Sequence, residues 1–469
     1  MTEFRYLDSK ELKQRASGNV QVVIWGTGRT AREAAWTLEF LKIPLYAYAD
    51  SDPANCKRLI DGKRVLNLEQ VSQLENPFIL IGSFVVLPIY EKLKVAGIKN
   101  VAAALEVIRI PAREAEEDGD FSGNTLIEMY GNIGDLVLRL GILKALLGYY
   151  GRQNVTVLVE TQANAEMIRL YTDRVVVAEK ERFCEDRRYR RGFLEKINSG
   201  RFDRTVVLCD ARLYSNRRLL NQWNCNIREV IRNPAVPQGE LLWKLDAAML
   251  HRELEIPIAD MEPGMAMLGD AVLSAAAPFD LAEKYVCIHM GATRHERHYD
   301  PVRFSAVVSH IVKRGYRCVF IGQGEYDEFF VQRMYDSCDK ESRSGVLSYV
   351  GKLRLTESFA VIAGADFFLG TDSGMWNASY VLGKPSICLY GGGEYGCFKH
   401  EAPWIQYLTI DDHSCFGCGW FCTHRVSGGY SKCLGQITQE DIILAVDRQI
   451  QRLLSCEEAI RCEDWRSEK

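Results

Sequence analysis

From Val20 to Pro111 the chain alternates short apolar runs with amphipathic ones. VQVVIWGTG is apolar and closes on glycines, as a buried strand entering a turn does. TAREAAWTLEFLK spaces its apolar residues three and four apart, as a helix does. PLYAYADSDP and PFILIGSF predict two more strands, IYEKLKVAGI a helix and KNVAAAL a short strand. A second segment opens with TLIEMYGNIGDLVLRLGILKALLGYYG, a strand, a glycine turn and a helix, and continues with the strands NVTVLVE, DRVVVAE and RTVVLCD. A third begins near Tyr285. Its strands are YVCIHMGA, RCVFIGQGE, DFFLGTDSG and KPSICLYGG, and its helices PVRFSAVVSHIVKRG, LTESFAVIAGA and MWNASYVLG. Strands alternating with helices in this way predict parallel sheets covered by helices, an α/β architecture. The stretch 113–124, acidic and poor in apolar residues, is the natural linker between the first two segments. ITQEDIILAVDRQIQRLL predicts a closing helix, with Thr438 as N-cap and Asp441 at N3.

The 469 residues suffice for three domains of roughly 150 residues each. Net charge is −4, with 47% hydrophobic and 26% charged residues, an ordinary globular composition that argues against a nucleic-acid binder. The run Arg187, Arg188, Arg190, Arg191 is the local exception. It reads either as a solvated helix face or as a patch for an anionic acceptor or a membrane surface. No apolar run approaches the ~20 residues that span a bilayer. The polar start MTEFRYLDSKELKQR has no signal-peptide character. A cytoplasmic protein is expected, with peripheral association at the inner face of the inner membrane left open.

In parallel sheets, ligands bind beyond the carboxyl ends of the strands. Three turns at such ends stand out. In GNIGD, Gly131 and Gly134 allow a sharp turn, and Asp135 begins the helix. There it is either a helix N-terminal carboxylate or a general base. In HMGATRHERHYDP, Gly291, Ala292 and Thr293 expose backbone N–H groups and Arg294 and Arg297 follow, which suits a diphosphate or else an ordinary basic loop. In GTDSGMWNASYVLGKP, Asp372, Ser373 and Gly374 precede a helix N-terminus, an anion site unless Asp372 is simply the N-cap. GQGE adds Glu325, able to accept from a ribose or a base.

Taken together, these motifs resemble glycosyltransferase family 9, the ADP-heptose:lipopolysaccharide heptosyltransferases, over about Thr125 to Leu454 and in the right order. The resemblance implies a GT-B fold of two Rossmann-like lobes, residues 125–280 for the acceptor and 281–435 for the donor, followed by a terminal helix at 436–456. The reaction would lie between the lobes. A third, smaller Rossmann-like domain, 1–112, precedes them. Asp135 then corresponds to the general base. Gly291, Ala292, Thr293 and Arg297 correspond to the donor-diphosphate site, Glu325 to the nucleoside contact, and Asp372, Ser373 and Gly374 to the donor turn, with Asn377 counted among the donor-binding residues. The implied reaction inverts the anomeric centre by direct displacement, with no metal at the chemistry. A nucleotide sugar, ADP-heptose, is the donor, and a lipopolysaccharide core sugar or a protein hydroxyl the acceptor. Two departures are visible: Arg297 stands where the family has Lys, and Asn377, beside the bulky Trp376, where it commonly has His. They motivate the rival reading, a catalytically degenerate binding or assembly protein.

Fifteen cysteines are many, and Cys415, Cys418, Cys422 and Cys433 fall close together. In a reducing compartment such a cluster favours a tetrahedral metal site over disulfides. It resembles the cysteine finger of bacterial autotransporter heptosyltransferases, which holds iron in a large oligomer. Structural iron or zinc, and a homo-oligomer, are the corresponding expectations. In the first segment, GTGRTA with Gly26 and Gly28 follows a strand, and Asp50 ends the next. This is a weak dinucleotide-type pattern for a nucleotide, or else a degenerate domain used in assembly.

Overall fold

A computed structural model describes residues 9–40, 42–83, 86–103, 123–179, 182–183, 186–200, 202–208, 229–232, 241–264, 268–269, 272, 284–292, 294–393, 396, 398–413, 415–416, 418, 422 and 424–467. The linker stretch 113–122, Thr293 and most of the loop between Cys415 and His424 lie outside them. The chain divides into two compact units.

The first unit comprises Met1–Tyr130, Tyr150–Gln162 and Arg174–Val236 and holds two sheets. One is built from β1 (Gln21–Trp25), β2 (Ala47–Ala49), β3 (Leu59–Ile60), β4 (Lys63–Leu66), β5 (Pro77–Ile81) and β6 (Val101–Ala103), in the order β3-β4-β2-β1-β5-β6. All neighbours are parallel except the β3–β4 hairpin. That hairpin turns on Asp61 and Gly62, both with positive φ, the pair that a two-residue hairpin of matching twist requires. The other sheet is fully parallel: β7 (Thr125–Met129), β8 (Val155–Val159), β9 (Val175–Val177), β10 (Arg204–Leu208) and β11 (Glu229–Arg232), in the order β11-β10-β7-β8-β9. β7 and β8 are buried at every position, which is why they read as continuous apolar runs.

The second unit comprises Gly131–Tyr149, Ala163–Asp173 and Pro237–Lys469. Its parallel sheet runs β14 (Val346–Ser348), β13 (Arg317–Phe320), β12 (Tyr285–His289), β15 (Phe367–Thr371), β16 (Ser386–Leu389), β17 (Ile405–Leu408). The Pro301–Lys313 helix and the long Gln439–Ser467 helix supply apolar side chains to the core beside it, Phe304, Val307, Ile442 and Val446 among them. The expected cap is present: the Asp441 N–H donates to Thr438 Oγ1 (3.1 Å), and Thr438 N–H donates back to Asp441 (2.9 Å). β12, β13 and β15 are adjacent, so the turns after them gather at one edge. Among the described residues no helix is long and apolar enough to cross a membrane.

One buried ion pair braces this unit. Arg139 Nε donates to Asp246 at 2.6 Å, with both side chains at most 2% exposed, and Arg139 Nη1 also donates to the Asp135 carbonyl. Asp246 sits on the Leu242–Leu254 helix. Removing one partner of such a pair strands a desolvated charge. Asp246→Ala is expected to lower the unfolding free energy by roughly 3–5 kcal/mol, read from urea denaturation. An unchanged midpoint would mean that the pair contributes nothing.

Candidate active site

The turn Gly131–Asp135 and the turn Asp372–Gly374 meet. Gly134, in the short Ile133–Val137 helix, packs on the first residue of the Gly374–Val381 helix. A side chain at Gly134 would run into Asn377 Nδ2 (2.7 Å) and Gly374 Cα (3.0 Å). Gly131, at φ +128°, lies against Asp135, whose Cβ would be 2.6 Å from any Cβ placed there. Both glycines are therefore dictated by close approach. Asp135 is 7% exposed, and its Oδ2 accepts the Asn132 N–H at 2.9 Å. One carboxylate oxygen thus caps its own helix, as the helix N-terminal alternative for this residue expects, while its neighbours Ile133 and Gly134 make the contact with Gly374 of the second turn.

At the second turn Ser373, not Asp372, is the N-cap; it accepts the Trp376 N–H. Asp372 faces Arg297 instead, with Nη1 at 3.3 Å from its carbonyl and 3.7 Å from Oδ2. The Arg297 and Asp372 side chains are 15% and 3% exposed, so this is a desolvated pair and not a surface one. Ala292 lies in the same loop, and its carbonyl is 3.0 Å from His298 Nε2. The His298 ring stacks on Tyr326 at 3.2 Å. Glu325 begins the Glu325–Ser337 helix after Gly324.

Two residues escaped the sequence reading. Asp327, two positions beyond Glu325, is the buried acid of the GQGEYDE turn. Its carboxylate fills the space beside Gly291 and Gly322, where any Cβ would strike it, and accepts the Gln323 N–H at 2.9 Å. Burial raises its pKa, and His289 nearby opposes that shift. His289, the last residue of β12, has Nδ1 3.0 Å from Ser373 Oγ and Nε2 3.9 Å from Asp327. Burial lowers the His289 pKa, with Asp327 pulling the other way. The glycines at 291 and 322 were the available signal: each makes room for a neighbour's carboxylate as well as for a ligand.

Elsewhere, Cys415, Cys418, Cys422 and Cys433 line one cavity with Gly392, Gly393 and Phe416. Its volume of about 10 Å³ is that of a single atom-sized guest. Four soft thiols suit iron or zinc as a donor set. Yet among the described residues no group of three or more His, Cys, Asp or Glu side chains is arranged to hold a metal ion. In the first unit, Gly26 (φ +122°) abuts the Gly82 carbonyl, and a side chain at Gly28 would meet nothing within 4 Å. Asp50 is occupied by the chain itself: Thr27 Oγ1 of the Gly26–Gly28 turn (2.6 Å), and the Asp52 N–H (2.9 Å) and Asn55 Nδ2 (3.2 Å) of its own loop, all donate to it.

Three buried imidazoles, His289, His298 and His400, have lowered pKa values, with burial the largest cause in each; His400 is pushed down to about 3. The folded chain therefore resists protons that the unfolded chain takes up near pH 6.5. Stability is full above that pH and falls as pH drops toward the folded values. At pH 5, His400 alone accounts for about 2 kcal/mol of that fall. Urea unfolding at pH 7 and pH 5 checks this, and in His400→Phe the difference should shrink by that amount.

Residues 225–410 match the family model described as glycosyltransferase family 9 (heptosyltransferase); the match leaves out Asp135 and the four clustered cysteines. The autotransporter heptosyltransferase TibC of Escherichia coli O78:H11 is 27% identical over 148 residues, 31% of this chain and 34% of that protein. Lipopolysaccharide heptosyltransferase 3 of Escherichia coli K12 is 26% identical over 170 residues, 35% of this chain and 46% of that protein. The chain thus spans between a third and a half of these relatives. The Escherichia coli heptosyltransferase WaaC, solved with ADP-2-deoxy-2-fluoro heptose, superposes with a TM-score of 0.51 at 14% identity, over 69% of this chain and 99% of that one. At that identity the likeness establishes the fold, which is GT-B. Over residues 225–410, then, the chain is similar to the glycosyltransferase family 9 heptosyltransferases, on a GT-B fold.

Proposed function

We propose that the protein is an inverting glycosyltransferase that moves a heptose from ADP-heptose to a hydroxyl of a lipopolysaccharide core sugar or of a protein. The observation that carries this reading is the juxtaposition of the turn that carries Asp135 with the Asp372–Gly374 turn, and of that second turn with Arg297. A carboxylate on one of two adjoining helix starts and a guanidinium beside the other are thereby brought into one neighbourhood. The names of the relatives supply the sugar class.

In this reading Asp135 takes the proton of the acceptor hydroxyl as its oxygen bonds to the anomeric carbon. The bond from that carbon to the diphosphate breaks on the opposite face, and ADP leaves with the electron pair. Arg297 and the backbone N–H groups at the start of the Gly374–Val381 helix offset the charge growing on the diphosphate. Glu325 receives the nucleoside. Asp135→Ala should abolish ADP release in the presence of acceptor while ADP still binds by calorimetry. Arg297→Ala should weaken ADP binding roughly ten- to a hundred-fold. ADP at about 100 times its dissociation constant stabilises the fold by about 2.7 kcal/mol, visible as a melting shift. Turnover in Asp135→Ala would remove that residue from the base role. No shift with any nucleotide diphosphate would favour the degenerate binding protein.

The clustered thiols support a second element of the proposal, a structural iron or zinc held by Cys415, Cys418, Cys422 and Cys433. The finger also reaches the donor loop: Arg425 pairs with Glu296 at 3.0 Å, and Ser431 Oγ donates to the Glu296 carbonyl at 2.6 Å. Elemental analysis of the purified chain should find one iron or zinc per protomer, lost in Cys415→Ser/Cys418→Ser. Metal-free protein with an unchanged melting temperature in that variant would reject the site.

A further inference from the structure

His400 is wholly buried on the chain between β16 and β17, outside the turns that gather the site. Its ring stacks on Tyr380 at 3.9 Å with the ring planes nearly parallel, and its carbonyl accepts the Tyr407 hydroxyl at 2.9 Å. Nε2 lies 3.0 Å from Asn377 Oδ1, while Nδ1 is buried with no hydrogen-bond partner. Burial, with Lys244 adding to it, keeps the ring neutral, so it carries a single N–H. A buried N–H without a partner is rarer and costlier than a buried lone pair without one. The proton therefore belongs on Nε2, which donates to Asn377 Oδ1.

That donation decides which way the Asn377 amide faces. With Oδ1 held by His400, Nδ2 turns to the other side and packs on Gly134, 2.7 Å from the place of a Cβ there. Asn377 is 3% exposed and lies in the first turn of the Gly374–Val381 helix. The contact thus runs from His400 through Asn377 to the turn that carries Asp135.

We propose that His400 is a positioning residue: by fixing the Asn377 amide it seats the Gly131–Asp135 turn against the Asp372–Gly374 turn and sets where the Asp135 carboxylate points. This rests on the glycosyl-transfer reading for its catalytic consequence, though not for the seating itself. It touches no substrate, so its loss should slow the chemical step and spare donor affinity. Misplacing a catalytic group by an ångström costs on the order of a hundred-fold in rate.

The test compares His400→Phe, which keeps an aromatic ring beside Tyr380 and lacks the N–H, with His400→Gln, which retains an N–H donor. His400→Phe should lower kcat by roughly ten- to a hundred-fold with the ADP dissociation constant unchanged. Hydrogen exchange of the 133–137 amides should quicken in the same variant. His400→Gln should recover most of both. Wild-type kcat and wild-type exchange in His400→Phe overturn the proposal. So does an equal loss of kcat, ADP affinity and melting temperature in both variants, which would mark His400 as packing alone. If His400→Phe does not fold, His400→Leu is measured against the same two criteria. If the wild-type chain turns over no nucleotide sugar, the transferase reading falls, and the exchange comparison still decides whether His400 seats the turn.

Discussion

The contact between Gly134 and Gly374 is the constraint on which the site depends. Two helix starts come together closely enough that a methyl group on either glycine would meet backbone or the Asn377 amide. Everything polar at the site is arranged around that approach. Asp135 folds back over Gly131, Ser373 caps one helix while touching His289, and Asp372 turns to Arg297. A bulkier residue at 134 or 374 would not merely fill space. It would separate the turn that carries Asp135 from the Asp372–Gly374 turn, although no polar group had been altered.

The surroundings keep that approach fixed by burial more than by charge. Behind the Asp135 turn, Arg139 is held by Asp246 and in turn holds the Asp135 carbonyl. Beneath the turns after β12 and β13, Asp327 sits among Gly291, Gly322 and His289, a carboxyl whose pKa is raised because water has been removed from it. Desolvation strengthens each hydrogen bond that remains and makes each missing partner costly. It also binds the three strand-end turns to one another: moving any of them exposes a buried polar group in its neighbour.

Much of this was legible in the sequence, for identifiable reasons. Strands buried on both faces, such as TLIEM and FFLGT, announce themselves as short, mostly apolar runs, and the strand-end glycines marked the turns that converge. Some short edge strands gave no comparable signal. β11, β14 and β17 are three or four residues long, and none was read in advance. The β3–β4 hairpin went unread too, although its Asp-Gly pair is a recognised turn signal. In GQGEYDE the eye falls on Glu325, whereas Asp327 is the acid that is buried, because facing inward is decided by helix phase and not by nearness to the glycines. His400 carried no local pattern at all. Its partner Asn377 lies twenty-three positions away, and only the packing of β16, β17 and the Gly374–Val381 helix brings them together.

The cysteines divide into two chemical populations. Cys287, Cys318 and Cys388 are sealed in the strands of the second unit, and burial drives their thiols toward the protonated, inert form. Cys415, Cys418, Cys422 and Cys433 are only partly covered. An oxidant or alkylating reagent reaching this unit would thus spend itself in one loop while the sheet stayed intact. That loop leans on Glu296, the neighbour of Arg297, so damage there would register in the turn after β12 before it registered in the sheet.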